Sequence, residues 1–422
     1  MSYIQRINKA FKSGFIKNVL ILSSGALIGQ IIVVLASPLL TRLYSVESFG
    51  YLSVFTSIST IFALLSTGRY ELAIVLPKSN SKALKLIKLI LCIGLVISLL
   101  YLILITLLKD VIRINDPTKF LNDNSAYILP IYVFFISLLS ILTYWNQRKK
   151  TYKRITTANA VHSIVNTIIS LILGFILIEN GMIIGLLGSV IFTVIFYLLH
   201  DKRLIKKVLN IKGIKSVAKE YESFPQYMIL SDLSLNTNQQ LTPILFSSFY
   251  DSEIVGHYSL ANRMLRLPNI IVTGSIANVF RNDAIDELRI KNNCKGLYVS
   301  TFKKLFLLSF PIYLTIFIVS PFIFKFIFGE NWGITGEFGR IISTYLFVEF
   351  MANPLNTLFY VRNQQKKLMI IQTINLIMSI IMIAVGAFLF KDPRISLVLY
   401  SGNAILFNLL LLYSSYKLSY IK

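Results

Sequence analysis

Long apolar stretches separated by short polar gaps run through the whole chain. Most of these stretches exceed the ~20 residues with which an α-helix crosses the ~30 Å hydrocarbon core of a bilayer. A soluble domain of 422 residues cannot bury so many apolar helices, so the pattern predicts a polytopic membrane protein. The twelve stretches run over about 17–41, 49–67, 84–108, 126–145, 157–178, 181–199, 224–249, 254–280, 298–320, 338–361, 368–390 and 395–416.

Composition and charge agree with a membrane protein. Hydrophobic residues make up 55% of the chain and charged residues only 14%, and the mean hydropathy is +0.68. A net charge of +23 would also suit a nucleic-acid-binding protein. Most Lys and Arg residues, however, lie at the two ends of the chain and in the gaps after even-numbered stretches. This is the positive-inside pattern, so we expect both termini in the cytoplasm and no nucleic-acid partner.

A basic segment near the middle of the chain, residues 201–223, predicts a division into two parts. Its lysines alternate with apolar residues such as Leu204 and Val208, as in a basic amphipathic helix on the anionic inner leaflet. A solvated charged loop is the alternative interpretation. In either case the segment predicts a cytoplasmic linker between two lobes of six helices, at 1–200 and 224–422.

An internal repeat supports the two lobes. A Ser or Thr followed by Pro, and then a Glu-x-apolar-Gly-x-x-Ser motif, occurs after the first apolar stretch and again after the seventh. Because an even number of spans per repeat gives both copies the same orientation, the repeat predicts an all-α fold with twelve transmembrane helices in two parallel six-helix lobes around a central cavity, as in transporters. The motif residues are Pro38, Glu47, Gly50 and Ser53 in the first copy and Pro243, Glu253, Gly256 and Ser259 in the second.

The sequence offers no place for catalytic or nucleotide-binding chemistry. The gaps between the apolar stretches are short, so no soluble catalytic domain is expected. No G-x-x-x-x-G-K-[ST] phosphate loop occurs, and no group of His, Cys, Asp and Glu has the spacing of a metal site. We therefore expect a transporter that is not an enzyme and holds no cofactor, with coupling to H⁺ or Na⁺ left open.

Ionisable and amide side chains inside the apolar stretches are the remaining candidates for function. A charged group costs at least ~2.5–3.5 kcal/mol at the centre of a membrane helix and usually faces a cavity or a partner. The candidates for a substrate-binding cavity are Arg263, Arg266, Asn236, Asn238, Gln239, Gln240, Gln30 and Arg69. The candidates for ion coupling or counter-charge are Asp232, Glu349, Glu71 and His162.

Two interpretations of Arg263 and Arg266 stay open. The two side chains could pair with Asp232 and Glu349 in a neutral lock between helices. Alternatively, they present guanidinium groups to an anionic substrate, since Arg binds phosphate oxygens through two parallel hydrogen bonds. The two carboxylates are then either an H⁺ or Na⁺ site or counter-charges to the arginines. For His162, a hydrogen-bonded packing role is favoured over a proton relay.

Three segments of the chain resemble a known protein family. They read P-L-L-T-R-L-Y-S-V-E-S-F-G-Y-L-S-V-F-T-S-I at 38–58, R-Y-E-L-A-I-V-L-P at 69–77 and V-G-H-Y-S-L-A-N-R at 255–263. These segments are similar to bacterial polysaccharide-biosynthesis flippases of the O-antigen transporter type, which belong to the multidrug/oligosaccharidyl-lipid/polysaccharide exporter superfamily. The resemblance covers most of the chain in span count, lobe boundary and motif order. It is specific for the family and poor for the substrate.

The resemblance implies a V-shaped pair of six-helix lobes that works by alternating access. The implied substrate is an undecaprenyl-diphosphate-linked oligosaccharide, a repeat unit of O-antigen lipopolysaccharide or capsule, carried from the cytoplasmic to the outer leaflet of the inner membrane. Membrane lipid is a second implied partner, and a polysaccharide polymerase machinery is left open. Arg263 falls on the family's Y-x-x-A-x-R arginine, and Arg69 and Glu71 fall on its motif after the second span. Relatives often carry Asp where this chain has Asn-Gln-Gln at 238–240, which weakens an ion-coupling role there.

Three other functions stay as alternatives. A multidrug cation exporter of the same superfamily would want acidic rather than cationic cavity residues. A peptidoglycan-precursor flippase usually carries extra spans and more cationic residues in its first half. A membrane-embedded polysaccharide polymerase usually needs a large outer loop with catalytic groups, whereas the gaps predicted to lie outside are short. The arginines and the short gaps favour the polysaccharide flippase.

Overall fold

The protein is helical throughout the part of the chain that its structure describes. The structure is a computed structural model that describes residues 14–113 and 125–420, and no strand occurs within these ranges. The predicted cytoplasmic termini lie outside the described residues. By compactness the chain divides into two units. The first unit takes in the chain up to Tyr44 and Phe55–Leu233, and the second takes in Ser45–Val54 and Ser234–Lys422.

Six long helices build most of the first unit. The helix that begins at Val46 is shared, because its residues up to Val54 belong to the second unit. Glycines allow some of these helices to pack closely: a Cβ on Gly185 would lie 2.4 Å from Ser170 Oγ. Tyr44 donates its hydroxyl proton to the carbonyl of Ser170 at 2.6 Å. The six helices are α1 (Gly14–Leu43), α2 (Val46–Thr67), α3 (Asn80–Arg113), α4 (Ser125–Arg148), α5 (Tyr152–Phe175) and α6 (Gly181–His200).

The predicted amphipathic linker consists of two short helices rather than one. The break falls at Gly213, which takes a φ of 84° that L-residues with a side chain rarely adopt. Lys88 on α3 donates to the carbonyls of Leu209 and Ile211 at 2.8 Å each, so the linker packs with the first unit. The predicted boundaries on either side of residues 201–223 stay a prediction. The two helices are α7 (Leu204–Asn210) and α8 (Ile214–Glu220).

The second unit contains the remaining helices, several of which have recognisable end signals. Asp251 caps α10 by accepting a hydrogen bond from the Ile254 N–H at 3.0 Å, and Asp392 caps α16, which begins with Pro393. Pro268 follows the end of α10. The helices are α9 (Ile229–Phe249), α10 (Ser252–Leu265), α11 (Gly274–Lys291), α12 (Lys295–Phe328), α13 (Gly333–Leu355), α14 (Thr357–Val361), α15 (Gln365–Val385) and α16 (Pro393–Leu418).

Length and composition qualify eight helices among the described residues as membrane spans. Each of the twelve predicted apolar stretches coincides with one or more of the helices, but α9 and α10 are not among the eight. The first carries a run of amides and hydroxyls, and the second has only 14 residues. Large apolar side chains also face outward, such as Leu307 and Phe326 on α12 at 72% and 77% exposure. The protein is a multi-pass membrane protein, whereas twelve spans in two lobes stay a prediction.

The two copies of the repeated motif meet where α2 and α10 begin. A Cβ on Gly50 would lie 2.0 Å from the carbonyl oxygen of Ser252, and a Cβ on Gly256 would lie 2.0 Å from that of Val46. Each carbonyl belongs to the residue four positions before the other glycine, so the contact is reciprocal. Both segments belong to the second unit. Glycine is required at both positions because no side chain fits at this distance, which explains why the motif repeats a glycine.

Candidate functional site

Arg266 is held in an ion pair with Glu349. The arginine directly follows α10, and the glutamate lies on α13. Arg266 Nη1 donates to Glu349 Oε1 at 2.8 Å and Nη2 donates to Oε2 at 3.2 Å, which is a bidentate contact. The two side chains are only 15% and 12% exposed. The structure thus brings two of the predicted residues together, in the arrangement of a lock between helices.

Three residues that were not predicted from the sequence complete this ion pair. Asn262 Oδ1 accepts from Arg266 Nε and from the Tyr345 hydroxyl, each at 3.1 Å. Asn353 Nδ2 donates to Glu349 Oε1 at 3.3 Å. The sequence did contain a signal for all three, because each lies four residues from one member of the pair, on the same face of its helix. The network leaves the pair both neutral and extensively hydrogen-bonded.

Arg263 differs from Arg266 although it lies only three residues away. Its side chain is half-buried on α10, and it forms no hydrogen bond or ion pair with any side chain that the structure describes. An arginine at membrane depth carries its charge at every physiological pH and is costly without a partner. Among the described side chains, Arg263 is therefore a buried cation without a counter-charge, and its predicted partner Asp232 lies outside them.

The polar residues predicted on the seventh stretch lie on α9. Gln240 is half-buried there. Within α9, Thr242 precedes Pro243, the repeat counterpart of the Ser-Pro pair in α1. The remaining predicted side chains of this helix lie outside the described residues. They are Asp232, Asn236, Asn238 and Gln239.

In the first unit, Arg69 and Glu71 pair next to a cavity. Arg69 Nη1 donates to Glu71 Oε1 at 3.1 Å, and the backbone φ of 57° at Arg69 turns the chain after α2. The Glu71 side chain is 2% exposed. Both residues line a cavity of about 260 Å³ between α2 and α4. The structure therefore joins the binding candidate Arg69 to the counter-charge candidate Glu71.

The other two candidates of the first unit lie apart from this pair. Gln30 is half-buried on α1, beside Gly29, which approaches Ser163 closely. His162 Nε2 lies 3.2 Å from Ser189 Oγ. Ser189 Oγ also donates to the backbone carbonyl of Leu186 at 2.7 Å. This is the geometry of a hydrogen-bonded packing histidine.

Acidic groups gather at the glycine crossing of α2 and α10. The pKa of Glu253, in the gap before the eighth apolar stretch, is raised by burial and by the charges of Glu47 and Asp251. Glu253 Oε1 also lies 3.7 Å from Nε2 of the buried His257. The other histidine nitrogen hydrogen-bonds Thr335 Oγ1 at 2.8 Å. Glu47 and Glu253 were noted in the sequence only as markers of the repeat.

Solved structures with a similar fold are membrane transporters. One is a lipid II flippase MurJ in an inward closed conformation, with a TM-score of 0.70 and 18% identity over 94% of this chain and 87% of that chain. Another is an inward-facing multidrug resistance MATE family transporter of the MOP superfamily, with a TM-score of 0.67 and 14% identity over 92% and 93%. At these identities the likeness shows the fold alone, which is that of MOP superfamily transporters.

The family follows from the sequence itself. A family model described as polysaccharide biosynthesis protein matches residues 39–337, more than half of the chain. The chain belongs to the polysaccharide biosynthesis protein family, and the resemblance inferred from three sequence segments is confirmed. A search of curated proteins found no match.

Proposed function

We propose that the protein is a flippase for undecaprenyl-diphosphate-linked oligosaccharide. It moves a repeat unit of O-antigen or capsule from the cytoplasmic to the outer leaflet of the bacterial inner membrane by alternating access, with both termini in the cytoplasm. The family and the transporter fold support translocation rather than catalysis. One observation supports an anionic substrate: Arg263 has no counter-charge among the described side chains.

A diphosphate headgroup needs compensating charge to pass through the membrane. An ionised group transferred into an apolar medium without a partner costs far more than a neutral polar group. The guanidinium of Arg263 offers parallel hydrogen bonds to phosphate oxygens, whereas Glu349 already neutralises Arg266. In this proposal Arg263 binds the diphosphate, and Glu349 and Glu71 act as counter-charges rather than as coupling sites for H⁺ or Na⁺.

The leaflet on which the lipid-linked repeat unit accumulates tests this function in cells. Deletion of the gene should leave repeat units on the cytoplasmic leaflet, and the wild-type gene should restore surface glycan. Arg263→Gln should fail to restore it while the protein still inserts into the membrane. The control is Arg281→Gln, on an exposed residue of α11, which should restore it fully.

Three results would contradict the proposal. Single repeat units stranded on the outer leaflet of the deletion strain would identify a polymerase. Full restoration of surface glycan by Arg263→Gln would remove the role of this arginine. Accumulation of a peptidoglycan precursor instead of the repeat unit would assign the protein to that other substrate.

A further inference from the structure

The cavity of the first unit has both polar and apolar lining. Seven of its lining residues carry hydroxyl groups, whereas Ala63, Leu64 and Ile136 are apolar. The ring of Tyr132, one of the seven, packs against Phe55 with 5.2 Å between ring centroids, which fixes its position. A cavity of this kind suits a ligand that has polar edges and apolar faces.

Three hydroxyl groups of this lining are available as acceptors. Thr60 donates its proton to the carbonyl of Thr56 at 2.8 Å, and Ser137 donates to that of Val133 at 2.7 Å. Ser59 likewise donates to the carbonyl four residues earlier in its helix. A hydroxyl that donates within its own helix keeps oxygen lone pairs that can only accept. These three oxygens can therefore accept hydrogen bonds from donors of a ligand.

A buried carboxylate oxygen adds a further acceptor to this lining. Glu71 Oε1 accepts from Arg69, but Glu71 Oε2 is buried and has no hydrogen-bond partner among the described residues. An unsatisfied buried polar atom destabilises a protein, and more so when it is charged. A ligand O–H or N–H that reaches Oε2 removes this cost.

The volume of the cavity favours a sugar ring over a single cation as its ligand. The volume of about 260 Å³ is many times the space that one water needs. A single dehydrated cation would leave most of that space empty. One sugar ring, with hydroxyl donors at its edge and C–H groups on its faces, matches both the volume and the two kinds of lining.

We infer that this cavity binds one sugar ring of the transported glycan. The inference rests on the proposed function, because it takes the ring to be part of the lipid-linked oligosaccharide. Ring hydroxyls donate to Ser59, Thr60 and Glu71, and a C–H face lies against Leu64 and the ring of Tyr132. The first unit thereby recognises sugar while Arg263 in the second unit binds phosphate.

Ligand-observed saturation-transfer NMR on the full-length protein in nanodiscs tests the sugar site. The probes are the methyl glycosides of glucose, galactose and N-acetylglucosamine. Wild type should saturate at least one of them. Ser59→Ala combined with Thr60→Val keeps the cavity shape but removes two acceptors, and should weaken binding by roughly tenfold. The control is Thr193→Val, which removes a buried hydroxyl with the same bond to its own helix outside the cavity, and should bind as wild type does.

Each outcome decides either the sugar site or the proposed function. Absence of saturation of every probe by wild type, or unchanged binding by the double variant, overturns the sugar site. Wild type that binds a glycoside but does not translocate lipid-linked oligosaccharide keeps the sugar site and overturns the proposed function. Wild type that translocates lipid-linked oligosaccharide but binds none of the glycosides keeps the proposed function and overturns the sugar site.

Discussion

Arg266 and Glu349 carry opposite charges that stabilise each other inside the second unit. Replacing Glu349 with Gln leaves the guanidinium of Arg266 buried beside an uncharged amide. Breaking a buried pair in this way costs about 3–5 kcal/mol. We expect Glu349→Gln to lower the melting temperature of the purified protein in detergent, measured by circular dichroism.

An exposed pair provides the matched control for this prediction. Arg394 and Glu337 lie 3.0 Å apart but are 54% and 47% exposed. Because exposed ion pairs contribute only ~0–1 kcal/mol, Glu337→Gln should hardly change the melting temperature. An equal loss in both variants would show that burial does not set the strength of the Arg266–Glu349 pair.

Arg263 and Arg266, at the end of α10, show how much of the site could be predicted from the sequence at the scale of residues. Their position in an apolar stretch left two interpretations open, a lock with Asp232 and Glu349 or the binding of an anionic substrate. Which arginine pairs could not be predicted, because it depends on how α10 and α13 pack. The partners Asn262 and Tyr345 were missed because amides and tyrosines at helical spacing are common in membrane helices.

At the scale of elements, the crossing of α2 and α10 depends on two glycines. Alanine at Gly50 or at Gly256 would place a methyl group 2.0 Å from a carbonyl oxygen, so the helices must separate. Overpacking of this kind costs about 1–3 kcal/mol. We expect both Gly50→Ala and Gly256→Ala to lower the melting temperature in detergent.

Gly402 is the control for the crossing because it lies within α16 with no atom within 4 Å of an added Cβ. Alanine favours a helix interior over glycine by roughly 0.5–1 kcal/mol, so Gly402→Ala should leave stability unchanged or raise it. If Gly50→Ala were as stable as Gly402→Ala, the close contact between α2 and α10 would be wrong.

The same crossing should respond to pH through Glu253. Its pKa lies above the ordinary 4.5 because burial and then the charges of Glu47 and Asp251 disfavour the carboxylate. The folded state therefore favours the protonated acid, and this stabilisation is present in acid and lost as pH rises through the raised pKa.

Thermal unfolding from acidic to neutral pH measures this effect. Glu253→Gln mimics the neutral acid, so its melting temperature should fall less with rising pH than that of wild type. Parallel pH profiles of the two proteins would mean that Glu253 does not titrate in the folded protein across this range.

The apolar pattern predicted the helices better than it predicted their breaks. Each apolar stretch lies on helix because backbone groups at membrane depth must be satisfied within the segment. The basic linker was predicted as one helix, but Gly213 divides it. Its packing against α3 through Lys88 could not be predicted, because that contact depends on the tertiary fold. The repeated glycines were visible as a motif, although their contact with each other's helices was not.

At the scale of the whole molecule, the fold is similar to that of transporters and the chain belongs to a polysaccharide biosynthesis family. The proposed anionic substrate rests on Arg263, which has no counter-charge among the described side chains. The family alone does not specify the glycan, since MOP superfamily folds include a lipid II flippase and a multidrug transporter. Arg263 would repel the cationic substrate of a multidrug exporter. Substrate charge is therefore the property that separates the proposed function from that alternative.

A translocation assay tests the proposed anionic substrate directly. It follows labelled undecaprenyl-diphosphate-linked oligosaccharide in vesicles that contain the purified protein. Wild type should make the label accessible on the opposite leaflet, and comparison with and without an imposed proton gradient should show whether H⁺ is coupled. Arg263→Gln should reduce the rate to that of protein-free vesicles, whereas Arg281→Gln should match wild type. Wild-type vesicles no faster than protein-free ones, or Arg263→Gln as fast as wild type, would contradict the account.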